Sequence, residues 1–324
     1  MDNKFFFRCR QAEYTECGFD YQWQLGATES AASMLPATVN MDYPLTDFAT
    51  TLRYYTRRSL TNQDDVLRAL AGMIRRFSER VKHRFFEGMP TAAFDAFIIF
   101  RSSRGALLHR RNGFPSYSWV GWKGSIDIDH TYNDVDYSDM NDWLSTRTWI
   151  VWYKKSRSGV TNLVWDPAAN ESFPFHNPEY VGYRARGALR LPPALRTTSR
   201  TAPTEDLAFD TPHPTYPLLQ FWTLALYYKI SNINVFEAKG DVLGDSGTVC
   251  GEISLDGFEE TTFFDSGGMF EFILLSEWRP DLYNIMLLEW NGGLAERRGI
   301  GTIDQSAIDM SFSPGPVWKE ILLG

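Results

Sequence analysis

A chain of 324 residues is long enough for one large domain or two ordinary ones. Its hydrophobic fraction of 44% and charged fraction of 22% are globular values, which exclude wholesale disorder. The formal net charge of −8 argues against a nucleic-acid partner, because phosphate binding needs a basic surface.

The cysteines are few and odd in number: Cys9, Cys17 and Cys250. Because such a set does not make a disulfide framework, we expect a reducing, cytoplasmic environment. The N-terminus lacks the apolar region of a secretory signal, and no stretch approaches the roughly 18 apolar residues of a membrane span. We therefore expect no membrane partner. The sequence also holds no motif that predicts a metal or a cofactor.

The N-terminal part divides into a lead-in and a helical region. Residues 1–40 are weakly patterned, whereas residues 41–113 carry helical signals. In residues 63–80, apolar side chains recur at helical spacing on one face and arginines occupy the other, which predicts an amphipathic helix. Thr61, three residues before a carboxylate, predicts the cap of that helix. The apolar run at residues 94–100 suits either a helix or a strand.

From residue 114 onward the pattern becomes β-rich, and we expect this region to span residues 114–324. Residues 148–153 and 160–165 flank a turn with glycine and predict a hairpin. Residues 166–217 are rich in proline and predict a long surface excursion. Further strands are predicted at residues 218–230, 249–255, 270–276, 283–290, 294–303 and 318–324, with a turn at Asn291-Gly292-Gly293.

The order of these signals predicts an α+β fold. We expect an N-terminal helical layer packed on a largely antiparallel C-terminal region, either a sheet or a sandwich-like pair of sheets.

The stretch RRNGFPSYSWVGWKG, residues 110–124, concentrates arginine, aromatic residues and glycine. Pro115 favours an extended backbone, in which Tyr117 and Trp119 share one side. We expect the two preceding arginines to stack on the rings. The stretch is interpreted first as a structural clamp between the helical layer and the sheet. The alternative is a platform for a small aromatic or apolar ligand, formed by Tyr117, Trp119, Trp122, Arg110 and Arg111.

Residues with acid–base chemistry lie near this stretch. If the chain is an enzyme, the candidate catalytic residues are His109, Asp127, Asp129 and His130. Asp127 and Asp129 alternate, so an extended backbone places both on one face, where they suit a hard cation or an acid–base pair. The other interpretation of residues 127–139 is a solvated acidic loop.

Charged residues also interrupt the predicted C-terminal strands: Glu271, Glu289, Glu296 and Arg297. Strand alternation favours an outward orientation for them. An inward carboxylate–guanidinium pair is the alternative, and it would mark a pocket.

Several of these motifs resemble the C-terminal region of fungal heterokaryon-incompatibility (HET domain) proteins. The stretch FPSYSWVGWKG resembles that family's FPSWSWAGWxG, and YYTRRSLT followed by DDVLRALAG resembles its YSxRxLTxxsDxlxAfxGi run. The segments FEGMP, FEFILLS, YNIMLLE and AERRGIG resemble further family motifs in the same order. The resemblance covers residues 45–324.

The signatures of the HET domain itself are absent from the sequence, namely the YxALSYxWG, DxxCIDQ and RxWTxQE patterns. The resemblance therefore implies a region that lies downstream of that domain, in proteins of self/non-self recognition. It carries over no active-site residue.

Three functional hypotheses remain at this point. The first is a non-catalytic recognition or regulatory module with a protein partner, for which the proline-rich excursion is a candidate surface. The second is a small-molecule enzyme of fungal secondary metabolism with an aromatic-lined pocket. The third is a degenerate gene product without activity.

Overall fold

The computed structural model describes residues 6–8, 13–15, 44–81, 84–103, 107–128, 143–144, 146–165, 202–205, 207, 209–210, 213–257 and 268–324. Three α-helices lie in this part of the chain: α1 (Pro44–Thr56), α2 (Val66–Val81) and α3 (Phe94–Ile98). The strands are β1 (Phe6–Arg8), β2 (Glu13–Thr15), β3 (Phe85–Phe86), β4 (Met89–Pro90), β5 (Arg101–Ser102), β6 (His109–Arg110), β7 (Trp122–Lys123), β8 (Ile126–Asp127), β9 (Tyr153–Lys155), β10 (Thr161–Leu163), β11 (Leu218–Asn234), β12 (Lys239–Leu243), β13 (Val249–Leu255), β14 (Phe270–Arg279), β15 (Leu282–Asn291), β16 (Leu294–Asp304) and β17 (Val317–Leu323).

Helix α2 forms where the apolar period predicted it. Its apolar stripe of Val66, Leu70 and Phe77 is buried, and the arginines lie toward the opposite, more exposed side. A 3₁₀ turn at Gln63–Asp65 precedes the helix. The cap predicted at Thr61 is wrong by one residue, because the Asn62 side chain accepts the hydrogen bond from the Asp64 N–H at 3.1 Å.

The helical region is organised around Phe48 of α1. Its ring centroid lies 5.1 Å from that of Phe77 on α2, 4.9 Å from Phe85 on β3 and 5.5 Å from Phe97 on α3. These edge-on and tilted contacts are favourable aromatic geometries. One side chain thus joins three helices and a hairpin.

The main sheet is mainly antiparallel and closes on itself. Its pairings run from β11 through β12, β13, β16, β15 and β14 and then return to β11. A closed ring of strands removes open edges from that part of the sheet. The turn predicted at Gly292–Gly293 is confirmed, and both glycines have positive φ, 55° and 88°.

Strand β11 is the central element of the sheet. Along its 17 residues it pairs with β9, β12, β14 and β17. Near its start, Phe221 packs against Trp152 with ring centroids 4.4 Å apart, and Trp152 packs against Phe94 of α3 at 5.4 Å. This aromatic chain connects the helical region to the sheet.

The predicted α+β class is confirmed, with the α-helices in the N-terminal half and one large, mainly antiparallel sheet after them; a 3₁₀ helix, Gln305–Met310, lies between β16 and β17. The hairpin predicted around residues 156–159 is also confirmed, since β9 and β10 pair antiparallel, but its first strand is Tyr153–Lys155 and not residues 148–153. The lead-in lies largely outside the described residues, as does most of the proline-rich excursion. Within the described part of the chain, no helix combines the length and apolar character needed to cross a membrane.

Candidate functional site

The aromatic stretch at residues 114–124 is not extended, so that prediction is wrong. Residues 116–117 form a turn, and Trp119–Gly121 form a 3₁₀ helix. The Ser118 side chain caps this helix by accepting from the Val120 N–H at 3.3 Å. A side chain on Gly121 would meet the Pro115 carbonyl, so this tight fold requires glycine.

Two rings of the stretch, Tyr117 and Trp119, are buried and hydrogen-bonded to distant parts of the chain. The Tyr117 hydroxyl donates to the Pro217 carbonyl at 2.8 Å. The Trp119 indole N–H donates to the Gly88 carbonyl at 2.9 Å, and its ring lies edge-on to Tyr55 of α1 at 5.9 Å. Trp119 therefore contacts α1 and the β3–β4 turn, while Tyr117 reaches the chain just before β11. The rings join the helical region to the sheet.

Hydrogen bonds of Ser116 connect the same stretch to the sheet. Its backbone N–H donates to the Gly324 carbonyl at 2.9 Å, and its hydroxyl donates to the same carbonyl. The backbone N–H of Arg297 in turn donates to the Ser116 hydroxyl oxygen at 2.9 Å. One small side chain thus connects the stretch with β16 and the end of β17.

Arg110 and Arg111 have different roles. Arg110 lies over the ring of Trp122, 5.6 Å from its centroid, as the stacking prediction requires. Arg111 does not stack on the rings; it donates to the Val120 and Trp122 carbonyls at 2.5 and 2.9 Å. Burial lowers the pKa of both guanidinium groups. Their donors hold the backbone of the stretch together.

The predicted acid–base residues are only partly described. His109 lies in β6, opposite Lys123 of β7. Asp127 lies in β8, in a different two-stranded sheet, and its carboxylate is 3.6 Å from the Arg53 guanidinium. Asp129 and His130 lie outside the described residues, so of the predicted pair of aspartates the structure describes Asp127 alone.

The outward orientation predicted for Arg297 is wrong. Its side chain is fully buried at 0% exposure and bonds to the Asp256 carboxylate at 2.7 Å. It also donates to the carbonyls of Ile98 and Phe100, at 2.8 and 2.5 Å. Burial lowers the pKa of Arg297 and raises that of Asp256, and the ion pair opposes both shifts. Glu271, by contrast, remains half-buried and pairs with Lys319 at 2.8 Å.

Asp256 was not among the residues that the strand pattern singled out. It follows β13 directly, beside Gly257 with φ 66°, and so reads as an ordinary turn residue. Its role as the counter-ion of Arg297 follows only from the structure. Each of the three guanidinium nitrogens of Arg297 donates to an acceptor, and the group lies over the Phe100 ring, so this buried pair holds structure together.

The described residues offer neither a reactive cysteine nor a cluster of metal ligands. Cys250 is a buried free thiol, and burial raises its pKa to about 11, so it is protonated at neutral pH. No group of three or more His, Cys, Asp or Glu side chains converges in the part of the chain that the structure describes.

A cleft of about 540 Å³ lies between the β3–β4 hairpin and the β9–β10 hairpin. This volume is within the range of ligand-binding pockets in proteins. Its walls are Arg84, Phe85, Phe86, Thr91, Tyr153, Lys154, Thr161, Asn162, Leu163 and Val164.

The lining of this cleft is cationic and rich in hydrogen-bond donors. Arg84 and Lys154 supply the charges, and the lining residues that the structure describes include no carboxylate and no histidine. The Lys154 ammonium lies 5.6 Å from the centre of the Phe86 ring. Burial raises the pKa of Tyr153, so its hydroxyl stays protonated and can donate. We refer to this region, with the ten residues named above, as the β3/β10 cleft.

The cleft was missed in the sequence because its two walls are far apart along the chain. The sequence predicts a hairpin from residues 148–153 and 160–165, and FEGMP at residues 86–90 carries only a family resemblance. Nothing in their local patterns says that they face each other.

No protein-family model, curated protein or solved structure matches the chain.

Proposed function

We propose that the chain is a non-catalytic recognition module that binds an anionic partner in the β3/β10 cleft. One observation carries the proposal: in an open cavity of binding-site size, the described part of the lining has two cationic side chains, four polar side chains with donors and no acidic group. Such a lining attracts negative charge, and the Phe86 ring adds an apolar surface beside it.

The resemblance of residues 45–324 to the region downstream of the HET domain agrees with this role. It supports a setting of self/non-self recognition, with a protein partner, in the cytoplasm of a fungal cell. The alternative is a small-molecule enzyme, which needs acid–base groups at its cavity. Neither His109 nor Asp127 lines the β3/β10 cleft. The five residues of the predicted aromatic platform do not line it either.

Selection from a phage-displayed library of random peptides tests the proposal. We expect the protein to enrich peptides that contain aspartate and glutamate. The double variant Arg84→Gln/Lys154→Gln should lose at least tenfold in affinity for them. The matched control is Arg68→Gln/Arg75→Gln on α2, which removes the same charge from side chains that are 86% and 81% exposed.

Equal binding by the cleft variant, or selected peptides without acidic enrichment, would refute the cleft as the site. Recovery of the bound peptides with a changed mass would refute the non-catalytic role. Mass spectrometry of the eluted peptides provides that measurement.

A further inference from the structure

Strand β10 has an outer edge without a pairing strand in the described part of the chain. It lies at the end of the main sheet and pairs there with β9. Four consecutive residues, 161–164, line the β3/β10 cleft. Since successive strand residues point to opposite faces, both faces of β10 contact the cleft, and the edge between them does too.

The hydrogen bonds fix which backbone groups occupy this edge. The Ser156 N–H donates to the Val160 carbonyl at 2.9 Å, and the Val164 N–H donates to the Trp152 carbonyl at 3.0 Å. In an antiparallel pair, residues alternate between bonding the partner and pointing away from it. Residues 160, 162 and 164 therefore bond toward β9. Thr161 and Leu163 direct their N–H and C=O groups to the outer edge.

The opposite wall of the cleft has the same property. In the β3–β4 hairpin, the Thr91 N–H donates to the Arg84 carbonyl at 2.9 Å. Phe85 is the next residue along, so its N–H and C=O groups point away from β4. Both walls thus contain backbone donors and acceptors that their own hairpins do not use, which is the chemistry that recognises another strand.

The positive charges of Lys154 and Arg84 favour an acidic segment as the added strand. On β10, Asn162 stands opposite Lys154 of β9, so these two side chains share one face of the sheet. Alternate side chains of a strand added to β10 would lie on that same face, with Lys154 and Arg84 near them. Carboxylates at alternate positions suit this arrangement.

We infer that the partner is an acidic polypeptide segment that binds in extended form, as an additional antiparallel or parallel strand on the edge of β10. The inference rests on the proposed function and specifies its ligand class. Affinity comes from main-chain hydrogen bonds to Thr161 and Leu163, and selectivity comes from acidic side chains beside Lys154 and Arg84.

The variant Thr161→Pro tests the edge directly. It removes an outward N–H and places a ring on the edge, but it leaves the ladder to β9 intact, since Thr161 does not bond toward β9. Thr161→Val is the matched control, because it keeps the N–H and a β-branched shape. The probe is a fluorescein-labelled octapeptide of alternating glutamate and valine, measured by fluorescence anisotropy.

We expect Thr161→Pro to weaken binding of the probe at least tenfold, and Thr161→Val to change it less than threefold. Circular dichroism checks that both variants are folded. Two N-methylated octapeptides, blocked at the glutamates or at the valines, provide a second measurement on the unmodified protein. At least one of them should bind tenfold more weakly, because only one alternate set of N–H groups faces β10.

The outcomes separate the two proposals. Strand addition is wrong if the native protein binds both N-methylated probes as tightly as the unmodified probe, and Thr161→Pro binds the unmodified probe as tightly as the native protein does. Recognition of an acidic ligand would then still stand. If the probe binds the Arg84→Gln/Lys154→Gln variant as well as the native protein, or does not bind at all, strand addition and the proposed function both fail. Tight binding of inorganic phosphate in competition with the probe would assign the cleft to a small anion and also overturn the strand.

Discussion

Replacing Trp119 with alanine removes the ring that connects the helical region to the aromatic stretch. The side chain is 1% exposed, and an indole of this kind buries about 200 Å². At about 25 cal/mol per Å², its burial contributes about 5 kcal/mol, of which alanine retains a part. The Gly88 carbonyl also loses its donor, so we expect Trp119→Ala to cost about 3–5 kcal/mol.

Urea unfolding followed by far-ultraviolet circular dichroism measures this loss without depending on tryptophan fluorescence. Trp119→Phe keeps an aromatic ring but lacks the N–H, and we expect it to cost about 1–2 kcal/mol. Phe236→Ala is the control: this ring is 89% exposed, and its loss should change stability by less than about 0.5 kcal/mol. A loss of unfolding free energy below about 1.5 kcal/mol for Trp119→Ala would refute the reasoning, because a buried ring that connects two regions should contribute more than that.

Three further predictions concern stability. Gly72 lies within α2 with open space around it, so Gly72→Ala should add about 0.5–1 kcal/mol in urea unfolding; a loss would contradict this. Asp256→Asn leaves the buried Arg297 without its counter-ion and should cost about 3–5 kcal/mol, and adding Arg297→Met should recover part of it; full additivity in this cycle would contradict the pair. Burial raises the pKa of Glu87 above its unfolded value, so its ionisation destabilises the fold increasingly as pH rises from the unfolded to the folded pKa. Glu87→Gln should therefore be more stable than the native protein at pH 7 and equal to it below about pH 4 in thermal unfolding, whereas a pH-independent difference would refute this.

Elements whose signal is local could be predicted from the sequence. The apolar period of residues 63–80 corresponds to the 3₁₀ turn and α2, and the strand predicted at residues 249–255 has the bounds of β13. In both, the side chains that decide the structure lie within a few residues of one another. The closure of the sheet through β11 could not be predicted, because it depends on pairing between strands that are distant in the chain.

The orientation of Arg297 shows, for a single residue, the limit of prediction from sequence. Because alternate residues of a strand share a face, Arg297 and its charged neighbours Glu296 and Arg298 cannot all lie outward, and alternation alone does not say which of them is buried. The acceptors that make burial possible are Asp256, 41 residues away, and the Ile98 carbonyl, 199 residues away. A sequence pattern cannot reveal such partners, and the same reason hid the facing walls of the β3/β10 cleft.

The bond between Ser116 and Gly324 has a consequence for how the protein folds. It closes a loop of 208 residues, and loop closure of this length carries an entropic cost that only the surrounding contacts can offset. Because contacts between residues so distant in the chain slow folding, we expect this bond to form late. The helical region and the sheet supply partners for each other's buried donors, so we expect them to fold as one cooperative unit.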